Sequence, residues 1–167
     1  MNSRTLIRMR SFLLLALVQV LIFSRIHLFG YATACVYIIF ILKLPRHTTR
    51  NELLLWSFFS GLIVDVFCNT PGINAAAATA MGFMRNTVLA ALTHKGMPED
   101  FVPGVMTLKW GGYILYALVC IATFFTILFM LELFTINYPG ILLLSTASST
   151  LLTMLFAIVA ECFSRTK

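Results

Sequence analysis

The sequence predicts an all-α, polytopic membrane protein: about six transmembrane helices forming one integral membrane domain over residues 1–167. Three observations predict it. Hydrophobic residues make up 60% of the chain and charged residues only 11%, against a usual charged share of about 25%. The apolar residues fall into six runs cut by charges and turn residues. A chain of 167 residues cannot bury that much apolar surface in a core of its own, so the excess must meet a second apolar solvent, the lipid bilayer. The same composition excludes a disordered tail. The net charge of +6 does not indicate nucleic acid, because the basic residues do not gather into a patch on a polar fold.

The first run, 11–24, follows Arg4, Arg8 and Arg10. A basic start before an apolar stretch also fits a secretory leader, but the small-residue sequence Ala32-Thr33-Ala34 lies beyond Arg25 and His27, too far along for cleavage. The second and third runs are 28–44 and 53–68. These first three have 14, 17 and 16 residues, short of the roughly 20 that cross a ~30 Å hydrocarbon core. Snorkelling by Arg10, Arg25 and Lys43, or local thinning, would make up the difference; alternatively the first two runs form a re-entrant pair. The runs 73–93, 110–134 and 141–160 are long enough to span.

With both ends on one side, that side receives Arg4, Arg8, Arg10, Lys43, Arg46, Arg50, Lys95, Lys109, Arg165 and Lys167, which is ten of the twelve Lys and Arg. The positive-inside rule makes this side cytoplasmic. The outer turns, 69–72 and 135–140, hold no folded domain. The longest loop, 94–109, is cytoplasmic, and Gly96, Pro98, Pro103 and Gly104 argue against a helix there. Lys95, Glu99 and Asp100 make it either a contact surface or a solvated connector. Trp56, Trp110, Tyr113 and Tyr138 fall near span ends, as an aromatic belt would.

Signs of catalysis are lacking. The four cysteines sit apart in apolar surroundings, without metal or disulfide spacing, and read as small hydrophobes. His27, His47 and His94 lie in separate membrane-edge regions, and no metalloprotease, nucleophile-elbow or phosphate-loop motif occurs. The chain is therefore expected to be no enzyme and to need no cofactor or metal.

An ionisable group inside a span costs about 2.5–3.5 kcal/mol at mid-bilayer. Asp65 and Arg85 are the two that need explaining; Glu132 and Glu161 fall near helix ends, where solvation is expected. In the third span Ser57, Gly61 and Asp65 recur at i, i+4, i+8, so two small residues and the acid share a face suited to close helix packing. In the fourth, Asn74, Ala78, Gly82 and Arg85 share a stripe. Counting ~1.5 Å per residue from the outer turn puts Asp65 roughly 6 Å deep and Arg85 roughly 20 Å. The two should miss each other. Asp65 is matched instead to Asn74 and to the free N–H groups opening the fourth span. Arg85 should reach the cytoplasmic interface or an acid on another helix. These residues act either as a polar lock on the hairpin or as part of a ligand or ion pathway.

Taken together, Gly61-Leu62-Ile63-Val64-Asp65, Thr70-Pro71-Gly72-Ile73-Asn74-Ala75 and Arg85 resemble the rod shape-determining protein MreD family. Members show a Gly-x-x-x-Asp run, a Pro-x-Gly or Pro-Gly turn, an Asn-Ala helix start and a basic residue further on; here the turn reads Pro71-Gly72-Ile73, without the extra residue often seen between Pro and Gly. The motif covers about 25 residues; the length, span count and Arg-rich start agree over the chain. The resemblance implies a bacterial cytoplasmic-membrane scaffold of the cell-elongation (rod) complex, acting in peptidoglycan synthesis with MreC and with MreB, RodA and a penicillin-binding protein. It also implies a fold similar to the substrate-binding subunits of energy-coupling-factor transporters. Ser57, Gly61, Asp65, Pro71, Gly72, Asn74, Gly82 and Arg85 are then structural or partner-binding residues. A vitamin-binding transporter subunit is the alternative, but such chains carry Ala-x-x-x-Ala docking motifs on the first helix, where residues 12–24 hold only Ala16.

Overall fold

The computed structural model describes residues 12, 19, 27–28, 32–93, 101–133 and 139–165. They are overwhelmingly helical: α1 (Ile38–Leu42), α2 (Arg50–Cys68), α3 (Ile73–Leu92), α4 (Val105–Leu133) and α5 (Pro139–Arg165). One antiparallel ladder joins β1 (His27–Leu28) to β2 (Ala32–Thr33), with His27 opposite Thr33. The arginine-rich start, most of the run 11–24, Arg25, His94, Lys95, Gly96, Pro98, Glu99, Asp100, Tyr138 and Lys167 lie outside the described residues.

Among the described residues, three helices are long and apolar enough to cross a membrane: Arg50–Cys68, Val105–Glu132 and Leu142–Phe163. Their outer faces carry large exposed apolar side chains, among them Phe59, Val66, Leu118, Leu143 and Leu151, a surface suited to lipid rather than water. α3 is of spanning length but carries Asn74, Thr79, Arg85, Asn86 and Thr87. It packs between α2 and α4, so Asn74 and Arg85 turn inward to protein.

Local chemistry sets the helix limits. Thr49 Oγ1 accepts from Glu52 N at 3.4 Å, an N-cap at the start of α2, with the Glu52 carboxylate in the first turn where the helix dipole favours it. α2 ends on Asn69 in the left-handed conformation (φ 56°), and Gly72 (φ 78°) opens α3, so the hairpin turns within Asn69–Gly72. α4 starts four residues earlier than Lys109 and is broken there (φ 59°, ψ 168°); the helix proper resumes at Trp110, where the fifth span is predicted to start. In the described part of the long loop, residues 101–104 and Lys109 are non-helical and 105–108 form a helical turn.

The run 28–44 is not one spanning helix. It passes from the ladder through an irregular stretch into the five-residue α1, and every residue from Ala34 to Leu42 is buried. An apolar run satisfies a helix or a protein-covered irregular segment equally well, and α1 is surrounded by α2, α3 and α4. The aromatic belt is also revised. Trp110 is exposed, but Tyr113 is fully buried on the bundle side of α4, and Trp56 packs edge-on against Phe12 and Phe40.

Candidate functional site

Asp65 lies in the last turn of α2 on its buried face, 3% exposed. Its Oδ1 accepts from Thr70 Oγ1 at 2.6 Å, from Asn74 N at 3.0 Å and from Asn74 Nδ2 at 3.1 Å. Its Oδ2 accepts from Ala75 N at 2.8 Å. Two of these donors are first-turn N–H groups of α3, which lack intrahelical partners and carry the positive end of the helix dipole. The Asn69–Gly72 turn brings them there. Asn74 Oδ1 also accepts from Tyr37 Oη at 3.4 Å, joining the hairpin to the stretch before α1.

Small residues let the hairpin close. A Cβ on Gly61 would lie 2.5 Å from both Asn74 O and Ala75 Cα, so α3 rests against bare α2 backbone at this point. Further along, Gly82 faces Ser57, whose Cβ would stand 3.1 Å from a side chain placed there. The Ser57 and Ser60 hydroxyls donate to Leu53 O and Ser57 O of their own helix, both at 2.8 Å, so neither asks for a partner across the interface. Ser57, Gly61, Asp65, Asn74 and Gly82 thus come together inside the α2–α3 pair. Pro71 stays exposed on the turn.

Arg85 is fully buried. The expectation of an interface or an acid is corrected: Nη2 donates to Leu44 O and, at 3.5 Å, to Leu42 O, and Nη1 to Asn86 Oδ1 at 3.3 Å. The Nη2 acceptors are backbone carbonyls at and just after the end of α1, which have no helical partner of their own. Tyr116 Oη donates to Leu42 O as well, at 3.0 Å. Asp65 and Arg85 therefore have separate partners.

The irregular stretch before α1 must find partners for its backbone inside the bundle. Gln19 Nε2 donates to Ala34 O at 2.9 Å and Gln19 Oε1 accepts from Val36 N at 2.7 Å, while Cys35 N donates to Thr153 Oγ1 of α5 at 3.3 Å. Thr153 shares its α5 face with the buried Ser145 and Ser149.

Glu161 is not a freely solvated end residue, contrary to expectation. Its Oε2 pairs with Lys43 Nζ at 3.1 Å and its Oε1 accepts from Val105 N, at the start of α4, at 3.0 Å. One carboxylate so ties α5, α4 and the end of α1 together. Next to it Arg46 N donates to Phe101 O at 3.0 Å, joining the two basic loops. Glu132 is exposed.

Sequence reasoning missed Tyr37, Tyr116, Gln19, Thr153 and the Lys43–Glu161 pair. Among the described residues no group of three or more His, Cys, Asp or Glu could hold a metal ion. Comparison with protein-family models, curated proteins and solved structures gives no match.

Proposed function

We propose that the chain is a non-catalytic membrane scaffold of the MreD type, placed in the cell-elongation complex of a bacterial cytoplasmic membrane. The observation that carries this reading is the closure of Asp65: its carboxylate accepts four hydrogen bonds from Thr70, Asn74 and Ala75, all within the hairpin. An acid so engaged serves as a fastening and not as a proton donor or ion ligand. Of the residues that carry the family resemblance, Asp65, Thr70, Asn74 and Ala75 form that fastening and Gly61 lets the two helices close around it, while Arg85 is held separately.

In this reading the chain crosses six times with both ends in the cytoplasm, in a fold like that of energy-coupling-factor substrate-binding subunits. The α2–α3 small-residue faces are used within the hairpin. Partners therefore meet the outward helix faces or the basic cytoplasmic side, the first being a transmembrane segment of MreC, with MreB, RodA and a penicillin-binding protein in the same assembly. Depletion in rod-shaped cells, followed by microscopy and co-purification, tests the role. Rounded cells and a co-purifying MreC are expected; unchanged shape with no such partner refutes it. Thiol labelling of a cysteine placed at Arg46 tests the orientation, and labelling from outside intact cells would overturn it.

A further inference from the structure

An apolar groove runs along the outward face of α3, walled by α2 and α4. Leu54 and Phe58 form one wall, Thr123 and Ile127 the other, with Ala76 and Ala80 on the floor and Phe83 at one end. Thr79 and Thr123 also line it, but their hydroxyls donate to Ala75 O and Val119 O of their own helices, at 2.7 and 2.8 Å. The groove is therefore apolar throughout. From Ala76 to Phe83 it follows α3 for about 10 Å.

A cation stands at the Phe83 end. The Arg50 guanidinium carbon lies 4.2 Å from the centre of the Phe83 ring, and Arg50 is exposed. Arg50, Leu54 and Phe58 recur at i, i+4, i+8, so the arginine heads the same α2 face that walls the groove. A guanidinium over an aromatic ring is drawn to the ring face while its N–H groups can still donate to an anion. We propose that this groove binds an anionic phospholipid, one acyl chain lying against Ala76 and Ala80 and the phosphate held by Arg50.

Charge complementarity favours this occupant. At this end Lys43, Arg46 and Arg50 outnumber Glu52, and Lys43 is already paired with Glu161. A second copy at the same depth would bring the same cationic excess, whereas an anionic lipid offers a tail for the groove and a phosphate for the arginine. The proposal needs only that the chain lies in a bilayer; it is independent of any role in cell elongation.

The test is native mass spectrometry of the delipidated full chain, titrated with dioleoyl phosphatidylglycerol or dioleoyl phosphatidylethanolamine. The parent should retain the anionic phosphatidylglycerol in preference. Arg50→Gln should cut that preference roughly fivefold, the factor that one cation near an anionic bilayer contributes. Arg46→Gln should leave it unchanged, because Arg46 lies over Phe101 instead. Ala80→Phe should lower retention of both lipids; Met84→Trp, at an exposed groove position, takes its place if that variant does not fold. Equal retention of both lipids by the parent, an unchanged Arg50→Gln, an equal loss in Arg46→Gln, or undiminished binding with the groove filled would each overturn the proposal. So would a dimer that only the groove-filling variants dissociate.

Discussion

Replacing Asp65 with leucine removes both acceptor oxygens and leaves four donors facing a methyl-bearing side chain. Two of them, Asn74 N and Ala75 N, sit at a helix start where no other acceptor of the hairpin reaches them. Leaving a buried N–H unsatisfied costs about 1–3 kcal/mol, and Thr70 and the Asn74 amide lose charge-assisted bonds too, so Asp65→Leu should destabilise by about 3–5 kcal/mol. Asp65→Asn keeps one acceptor and turns an NH2 group toward a donor, for a loss of about 1–2 kcal/mol. Equilibrium unfolding in mixed micelles, followed by the fluorescence of Trp56 and Trp110, measures both. A double-mutant cycle with Asn74→Ala should show coupling of about 1 kcal/mol between the two positions. If Asp65→Leu falls within about 0.5 kcal/mol of the parent, the change typical of an unimportant surface position, the fastening role is refuted.

Arg85→Met should cost about 1–3 kcal/mol, because it strips the Leu44 carbonyl of its buried partner and leaves the Leu42 carbonyl to Tyr116 alone, and Tyr116→Phe about 1 kcal/mol; the same unfolding assay reads both. Gly61→Ala should destabilise by about 1–3 kcal/mol, since its Cβ would overlap α3 backbone. Gly111→Ala, where a Cβ meets nothing within 4 Å, should instead stabilise by about 0.5–1 kcal/mol; equal effects from the two would discount the close approach. Glu161→Ala should cost about 1–2 kcal/mol through the lost N–H acceptor at Val105, and Lys43→Ala under 1 kcal/mol. The Lys43 effect should shrink in high salt while the Glu161 effect largely persists, which unfolding at two ionic strengths would show.

The Asp65 geometry was legible because its partners lie within ten residues in the chain and helical rise alone gives their depths. Arg85 was not, because its partners are backbone carbonyls 41 and 43 residues earlier, and a carbonyl has no sequence signature. Depth counting also misassigned Glu161: a position near a helix end reads as wet until a lysine on another segment is brought to it. The broken path through 28–44 was hidden by an apolar run that serves helix and covered irregular backbone alike. Two signals pointed to it. Gln19 is a lone amide in an apolar run, and Ser145, Ser149 and Thr153 repeat at i, i+4, i+8 along α5, on the face that turns inward. Tyr113 likewise stands on the α4 stripe of Tyr116, Cys120 and Phe124, all buried, so periodicity outweighed closeness to the span end.

Asp65 and Arg85 also differ in when their charges can be hidden during biogenesis. Every group that accommodates the acid is encoded between Asp65 and Ala75, so the two-helix unit can enter the bilayer with its anion already sheltered. The guanidinium has no such self-sufficiency. It draws on the carbonyls at Leu42 and Leu44, made more than forty residues earlier, and is enclosed only when α4, made later, packs on α3 and brings Tyr116 to the Leu42 carbonyl. Arg85 is thus desolvated only once α4 has joined the bundle, later than the acid of the same hairpin.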